Sequence, residues 1–186
     1  MIIGLCGAAG SGKNAVAGIL SILYGFKSLA LADPLYDAVA AITGLTVKEL
    51  QDRQLKEQPI DWIGKSPRQL LQSLGTEWGR GMVSESLWVD HLFRRLDAFT
   101  AAGVNVVVTD VRFDNEAREL RDRYGARIWR IVRPTGAVDS EAMRHSSEAG
   151  ISPELIDVTI QNSGSLDYLR EIVEVAAASD LAMQNA

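Results

Sequence analysis

The sequence predicts an α/β fold, a doubly wound parallel sheet of about five strands with helices on both faces. Three observations point there. Short apolar, β-branched runs alternate with helix-period segments along the 186 residues. The chain opens on one such run, Met1-Ile2-Ile3-Gly4-Leu5-Cys6, and passes at once into the glycine loop Gly7-Ala8-Ala9-Gly10-Ser11-Gly12-Lys13-Asn14. Behind the loop, Val16, Ile19, Leu20 and Leu23 recur at i, i+3, i+4, i+7, the stripe of a helix that buries one face.

Apolar strand, Gly-x-x-x-x-Gly-Lys and helix, in that order, form the P-loop pattern, so the expected fold is of the three-layer P-loop NTPase type. In such a loop, successive backbone N–H groups and a helix N-terminus face an anion, and the lysine reaches the terminal phosphates. Gly7 to Asn14 are therefore the expected nucleotide-phosphate site. Asn14 departs from the pattern, because Ser or Thr ordinarily stands there to bind Mg²⁺.

Each later element has its own signal. Gly25 to Ala32 reads as a second strand ended by Asp33-Pro34, which places the Asp33 carboxylate at the C-terminal edge of a parallel sheet, where such sheets bind ligands. Proline at the first turn opens a helix from Leu35 to about Thr43, and Gly44 closes it. Residues 45–59 are charge-rich, a short helix with little apolar stripe, and 60–65 read as a loop. Ser66-Pro67 supplies an N-cap and an N1 proline; Leu70, Leu71, Leu74 and Trp78 mark the buried side of that helix, and Arg68, Gln72, Thr76 and Arg80 follow at i+4 along a polar ridge. The ridge suits an anionic, hydrogen-bonding ligand, and equally an ordinary solvated face.

Glu85 to about Ala102 reads as a helix with Trp88, Leu92, Leu96 and Phe99 inward, ended by Gly103. The β-branched run 105–110 ends in Asp110, which a P-loop enzyme would place in its Mg²⁺ shell and which could otherwise cap a helix, a job for which Asp114 competes. A helix with Phe113, Ala117, Leu120 and Tyr124 inward, a strand over Ala126 to Val132, and a short strand over Asp157 to Ile160 follow. Ser165 caps a last helix, and residues after about Ser179 read as a frayed tail.

Composition excludes several classes. With 47% hydrophobic residues and a net charge of −5 the chain is neither disordered nor a general binder of nucleic acid or anionic membranes. One cysteine, Cys6, excludes a disulfide framework and fits a reducing cytoplasm, where it serves packing. No window has the length of a membrane span, so a soluble cytoplasmic protein is expected.

Taken together, several blocks resemble the deoxynucleoside monophosphate kinases of tailed bacteriophages. They are Gly12-Lys13-Asn14, where that family commonly has Gly-Lys-Asp; Ala32-Asp33-Pro34-Leu35; Ser66-Pro67-Arg68 with Leu74 to Arg80; Val108 to Phe113 with Asn115-Glu116; His145-Ser146-Ser147-Glu148; and Asn162 to Leu166. They occur in the family's order across nearly the whole chain. The resemblance implies one kinase domain over 1–186: a core at about 1–33, 103–133 and 156–178, a helical acceptor-binding insertion at about 34–90, and a lid at about 134–150.

It also implies the reaction, transfer of the ATP γ-phosphoryl group to a deoxynucleoside monophosphate (dNMP), for deoxynucleotide supply in DNA synthesis. Lys13 and the loop amides would hold the phosphates, with Asn14 and Asp110 on Mg²⁺. Arg68, Arg80 and Arg112 would take the acceptor, with Gln72, Thr76 and Trp78 as lining. Arg133 and Arg144 would stabilise charge from the lid. Asp33 would position the acceptor or the metal, and Asn162 and Gly164 would face the adenine. Glu148, like Glu77, either joins the substrate set or orients an arginine, and Arg112 either binds ligand or pairs with Glu116 at i+4. The rival readings are another P-loop small-molecule kinase, resembling dephospho-coenzyme A kinase (with Asp33 as a general base) or phosphomevalonate kinase, and a non-catalytic nucleotide-binding switch. A homodimer through the helix carrying Trp88 is compatible with the sequence.

Overall fold

The computed structural model describes residues 1–52, 54–134 and 150–184. Within these the chain divides into two compact units, one formed by Met1–Ala30 with Phe93–Ala186 and the other by Leu31–Leu92.

The first unit is built on five parallel strands, β1 (Ile2–Cys6), β2 (Lys27–Leu29), β3 (Val106–Val108), β4 (Arg127–Val132) and β5 (Val158–Gln161), in the order β2-β3-β1-β4-β5. The register pairs Gly4 with Val108 on one side of β1 and with Ile128 on the other. Strand β1 is thus central, and every one of its residues is buried, as expected of a strand covered on both faces. Alternation decides which face each residue serves. Ile3 and Leu5 join a core with Val16, Ile19 and Leu20 of α1 (Lys13–Tyr24) and Leu169, Val173 and Ala177 of α7 (Leu166–Gln184). Gly4 points the other way, where a side chain would collide with Ile128 and crowd Val111. Leu120 of α6 (Asp114–Tyr124) lies on that same side of the strand.

All five strands stand where the sequence puts them, with ends that differ by at most three residues; β5 starts one residue later and runs one residue further, to Gln161. The largest trim is in β2, which stops at Leu29. Asp33 therefore does not end a strand; it is the first residue of α2 (Asp33–Thr43). The expected frayed tail is also corrected, for α7 continues to Gln184. Its extension is held by Asp180, 2% exposed, whose carboxylate accepts from Trp129 Nε1 at 2.8 Å and from Arg127 Nε at 3.2 Å.

The second unit is helical: α2, α3 (Val47–Gln51), α4 (Pro67–Gln72) and the start of α5 (Leu87–Ala101), within which the unit boundary falls. Ser66 caps α4 as expected, in a reciprocal capping box with Gln69, and Thr46 and Glu49 make another on α3. The long helix expected beyond Ser66 is not one α-helix. From Ser73 to Val83 the backbone winds as a π-helix, visible where Ser84 N–H reaches Gly79 O at 2.9 Å, five residues back. Three glycines allow this, and Trp88 supports it: its indole donates to Gly75 O at 2.8 Å, and its ring occupies the space of the missing Gly79 side chain. An i+4 step overshoots an α turn and undershoots a π turn, so the polar ridge changes its drift at Ser73.

Candidate active site

The sharpest construction in the molecule lies where β1 ends. Gly7 has φ +132°, and a side chain there would strike the Ile131 carbonyl, so the first loop position accepts only glycine. Gly12, at φ +108°, precedes α1, and a side chain there would strike the Asn162 amide. Ser11 N–H donates to Ala8 O at 3.2 Å, curling the backbone between them. Helix α1 begins without a side-chain cap, so its first-turn amides are offered to whatever occupies the loop.

Lys13 Nζ lies across the loop and donates to the carbonyls of Gly7 and Ala8 at 2.6 and 2.9 Å. An ammonium held in this way exchanges readily onto phosphate oxygens. Ser11 Oγ is buried with no hydrogen-bond partner among the described residues, a further sign of a loop shaped for a ligand. Burial pushes the Cys6 thiol upward, against the opposing influence of Arg130 and Lys13, so the residue packs as a neutral thiol beneath the loop.

Asp110 lies at the same sheet edge. Two backbone bonds fix the chain around it, Thr109 N–H to Leu29 O at 2.9 Å and Val111 N–H to Leu5 O at 3.1 Å. The half-buried Asp110 is thereby placed beyond β3, beside the strand that delivers the loop. Among the described residues no three His, Cys, Asp or Glu side chains form a metal cluster. Asn14 and Asp110 are oxygen donors, a set that suits Mg²⁺, which keeps most of its shell as water and phosphate oxygen.

Arg112 is exposed, and its backbone N–H donates to Glu116 at 2.8 Å, as Phe113 N–H does at 3.0 Å. Glu116 is buried and caps α6, so the i+4 pairing offered as the alternative for Arg112 is made by its backbone N–H, to an interior carboxylate. Asp114, the first residue of α6, accepts from Ser152 N–H at 2.8 Å. That bond, with the Ser152 hydroxyl and Arg118, holds its carboxyl below the usual aspartate value. Asn162 is buried and donates to Ser11 O at 2.8 Å, while the exposed Gly164 lies under the Tyr168 ring.

In the second unit Arg68 pairs with Glu57 at 2.9 Å, and Arg80, its side chain 10% exposed, lies 3.9 Å from Glu85. Trp78 is 46% exposed, which corrects its placement on a buried stripe; the π turn rotates it outward. It lines a groove of about 350 Å³ with Leu70, Leu74, Val39, Ile42 and Met82, a groove that does not include Gln72 or Thr76. The Trp88 indole is engaged inside the unit with Gly75. The lid positions 135–149, with Arg144, His145 and Glu148, lie outside the described residues. Sequence reading missed Glu57 and Asp180. The first was legible only as one charge in a run, and the second had no local signal, since Trp129 is 51 positions away.

Comparison with known proteins agrees with this geometry. The profile of the deoxynucleotide monophosphate kinase family matches residues 65–173. A protein of Acanthamoeba polyphaga mimivirus named as a deoxynucleotide monophosphate kinase is 31% identical over 90% of this chain and 91% of its own. The deoxynucleoside-5'-monophosphate kinase of Escherichia phage T5 is 27% identical over 66% of this chain and 72% of its own. Dephospho-CoA kinase from Campylobacter jejuni superposes with a TM-score of 0.56 at 15% identity, covering 100% of this chain and 98% of that one, a likeness of fold alone. No helix among the described residues is long and apolar enough to cross a membrane. Because the family profile spans more than half of the chain and the mimivirus protein matches along nine tenths of it, this chain belongs to the deoxynucleotide monophosphate kinase family.

Proposed function

We propose that this protein transfers the γ-phosphoryl group of ATP to the phosphate of a dNMP, giving the diphosphate and ADP in the cytoplasm for DNA synthesis. The observation that carries this reading is the glycine loop with Lys13 across it, in a chain of this family.

A dNMP oxygen is already anionic near neutral pH, so the chain has no hard proton to remove. Its task is to bring two polyanions into line and to hold the charge while one P–O bond forms and the β–γ bridging bond breaks. Lys13 and the amides of residues 7–14 hold the donor phosphates. Asn14 and Asp110 would hold Mg²⁺, which would supply charge neutralisation to the donor phosphates. The unit Leu31–Leu92 is assigned to the acceptor. Arg68, Arg80 and Arg112 are the candidates for its phosphate and base, and Asp33 for orienting it. The carboxylates of Glu57 and Glu85 keep the first two guanidiniums ordered until a phosphate replaces them.

A coupled assay of ADP release tests the proposal across the four dNMPs, with ribonucleoside monophosphates, dephospho-coenzyme A and phosphomevalonate as controls. Mg²⁺-dependent turnover is expected with at least one dNMP. Turnover with dephospho-coenzyme A and none of the dNMPs would overturn it.

A further inference from the structure

Asn162 follows β5 directly, and its backbone N–H donates to Val132 O at 2.7 Å, carrying the β4–β5 pairing one residue past the strand end. This fixes where its side chain starts. Asn162 is 7% exposed, and its Nδ2 donates to the Ser11 carbonyl at 2.8 Å, across 151 positions of sequence. The same nitrogen fills the space that a side chain on Gly12 would need, while the Ile131 carbonyl does so for Gly7. The ends of β4 and β5 thus meet the phosphate loop at Gly7 and at Gly12, respectively.

The consequence follows from the planar trans peptide. Ser11 C=O and Gly12 N–H belong to one peptide unit and point in opposite directions. With the carbonyl held against the buried Asn162 amide, the Gly12 N–H must point away from Asn162. If that peptide turned over, a carbonyl oxygen would face the incoming phosphates in place of a donor. We propose that Asn162 is a positioning residue for the ATP phosphates: it acts through the Ser11 carbonyl to keep the Gly12 N–H aimed at the anion and does not read the purine.

The proposal rests on the loop being the triphosphate site, and its test separates the two ideas. Tripolyphosphate carries the phosphates of ATP without a base. Isothermal titration of wild type and Asn162→Ala with tripolyphosphate and with ATP compares the two ligands, well below the melting temperature. Both affinities are expected to fall by the same factor, about tenfold, the equivalent of about 1.4 kcal/mol. The KM for the dNMP should stay within about twofold, and amide exchange over residues 8–13 should quicken. Asn162→Asp should be worse than alanine, since a carboxylate would set oxygen against the Ser11 carbonyl. If alanine does not fold, Asn162→Ser, whose hydroxyl is too short to reach, gives the same comparison.

Weakened ATP with unchanged tripolyphosphate would overturn the proposal and assign the side chain to the base. A lowered melting temperature with both affinities unchanged would overturn it in favour of packing alone. A wild-type protein that binds neither probe would overturn the kinase reading and this inference with it.

Discussion

Replacing Asp180 with alanine should destabilise the protein by about 3 kcal/mol while leaving its chemistry intact. The magnitude follows from what the carboxylate touches. Trp129 is fully buried, and its indole N–H, 2.8 Å from Asp180 Oδ2, would lose its acceptor; a buried donor left unsatisfied costs about 1–3 kcal/mol. Arg127, one third exposed, would lose a contact at 3.2 Å but keep Asp157 at 3.1 Å, so screening limits its share to at most about 1 kcal/mol. For a chain of this size each kcal/mol moves the melting temperature by about 2–4 °C, so thermal unfolding followed by circular dichroism should shift down by about 6–12 °C. Asp180→Asn, which keeps an oxygen for one donor, should lose less. Truncation after Ser179 should lose at least as much as the alanine variant, because it removes the carboxylate together with the last turn. Activity measured well below the transition should be unchanged in the point variants, since neither touches the loop. A shift under about 2 °C for alanine, or a neutral truncation, would refute the anchoring role and restore the frayed tail.

Lys13→Ala should fold and lose phosphoryl transfer by on the order of 10²-fold or more, read in the coupled assay; near-wild-type turnover would sink the loop assignment. Arg68→Ala and Arg112→Ala should each raise the KM for the dNMP about tenfold and that for ATP by less than about threefold, and the opposite split would place them on the ATP side. The Arg68–Glu57 pair, partly exposed on both sides, is weak enough to yield to a phosphate. Burial and the Asp97 carboxylate push Tyr124 up to about 12, so one of the four tyrosines should titrate far above 10. The folded state keeps that proton longer than the unfolded chain does, so this contribution to stability is complete below pH 10 and falls as pH rises toward 12. A tyrosinate absorbance titration of wild type against Tyr124→Phe checks it: the extra tyrosinate of the wild type should form well above pH 10, and its appearance near pH 10 with the others would remove the shift.

The sequence by itself determined the elements whose causes are local. Apolar runs too short for helices became parallel strands, Ser66-Pro67 became an N-cap and N1 pair, and Gly44 became a left-handed helix end, because each depends on neighbours within a few residues. The glycine loop was legible for the same reason: its backbone requirements are written in adjacent positions. The ridge from Arg68 to Arg80 was legible as a spacing but not as a surface, since nothing local declares that the turn widens at Ser73; Trp88 decides that from outside the segment.

What only the tertiary structure decided are the contacts between distant positions. Asp180 looked like part of a polar tail until the fold brought Trp129 and Arg127 to it. Glu116 looked like a surface partner until burial made it a cap. Asn162, which the family resemblance assigned to the adenine, has its amide on the Ser11 carbonyl, and only the pairing of β5 with β4 puts it there. Local sequence sets what a segment can form, whereas desolvation of a polar side chain, and the partner it then requires, exist only once the chain has closed around it.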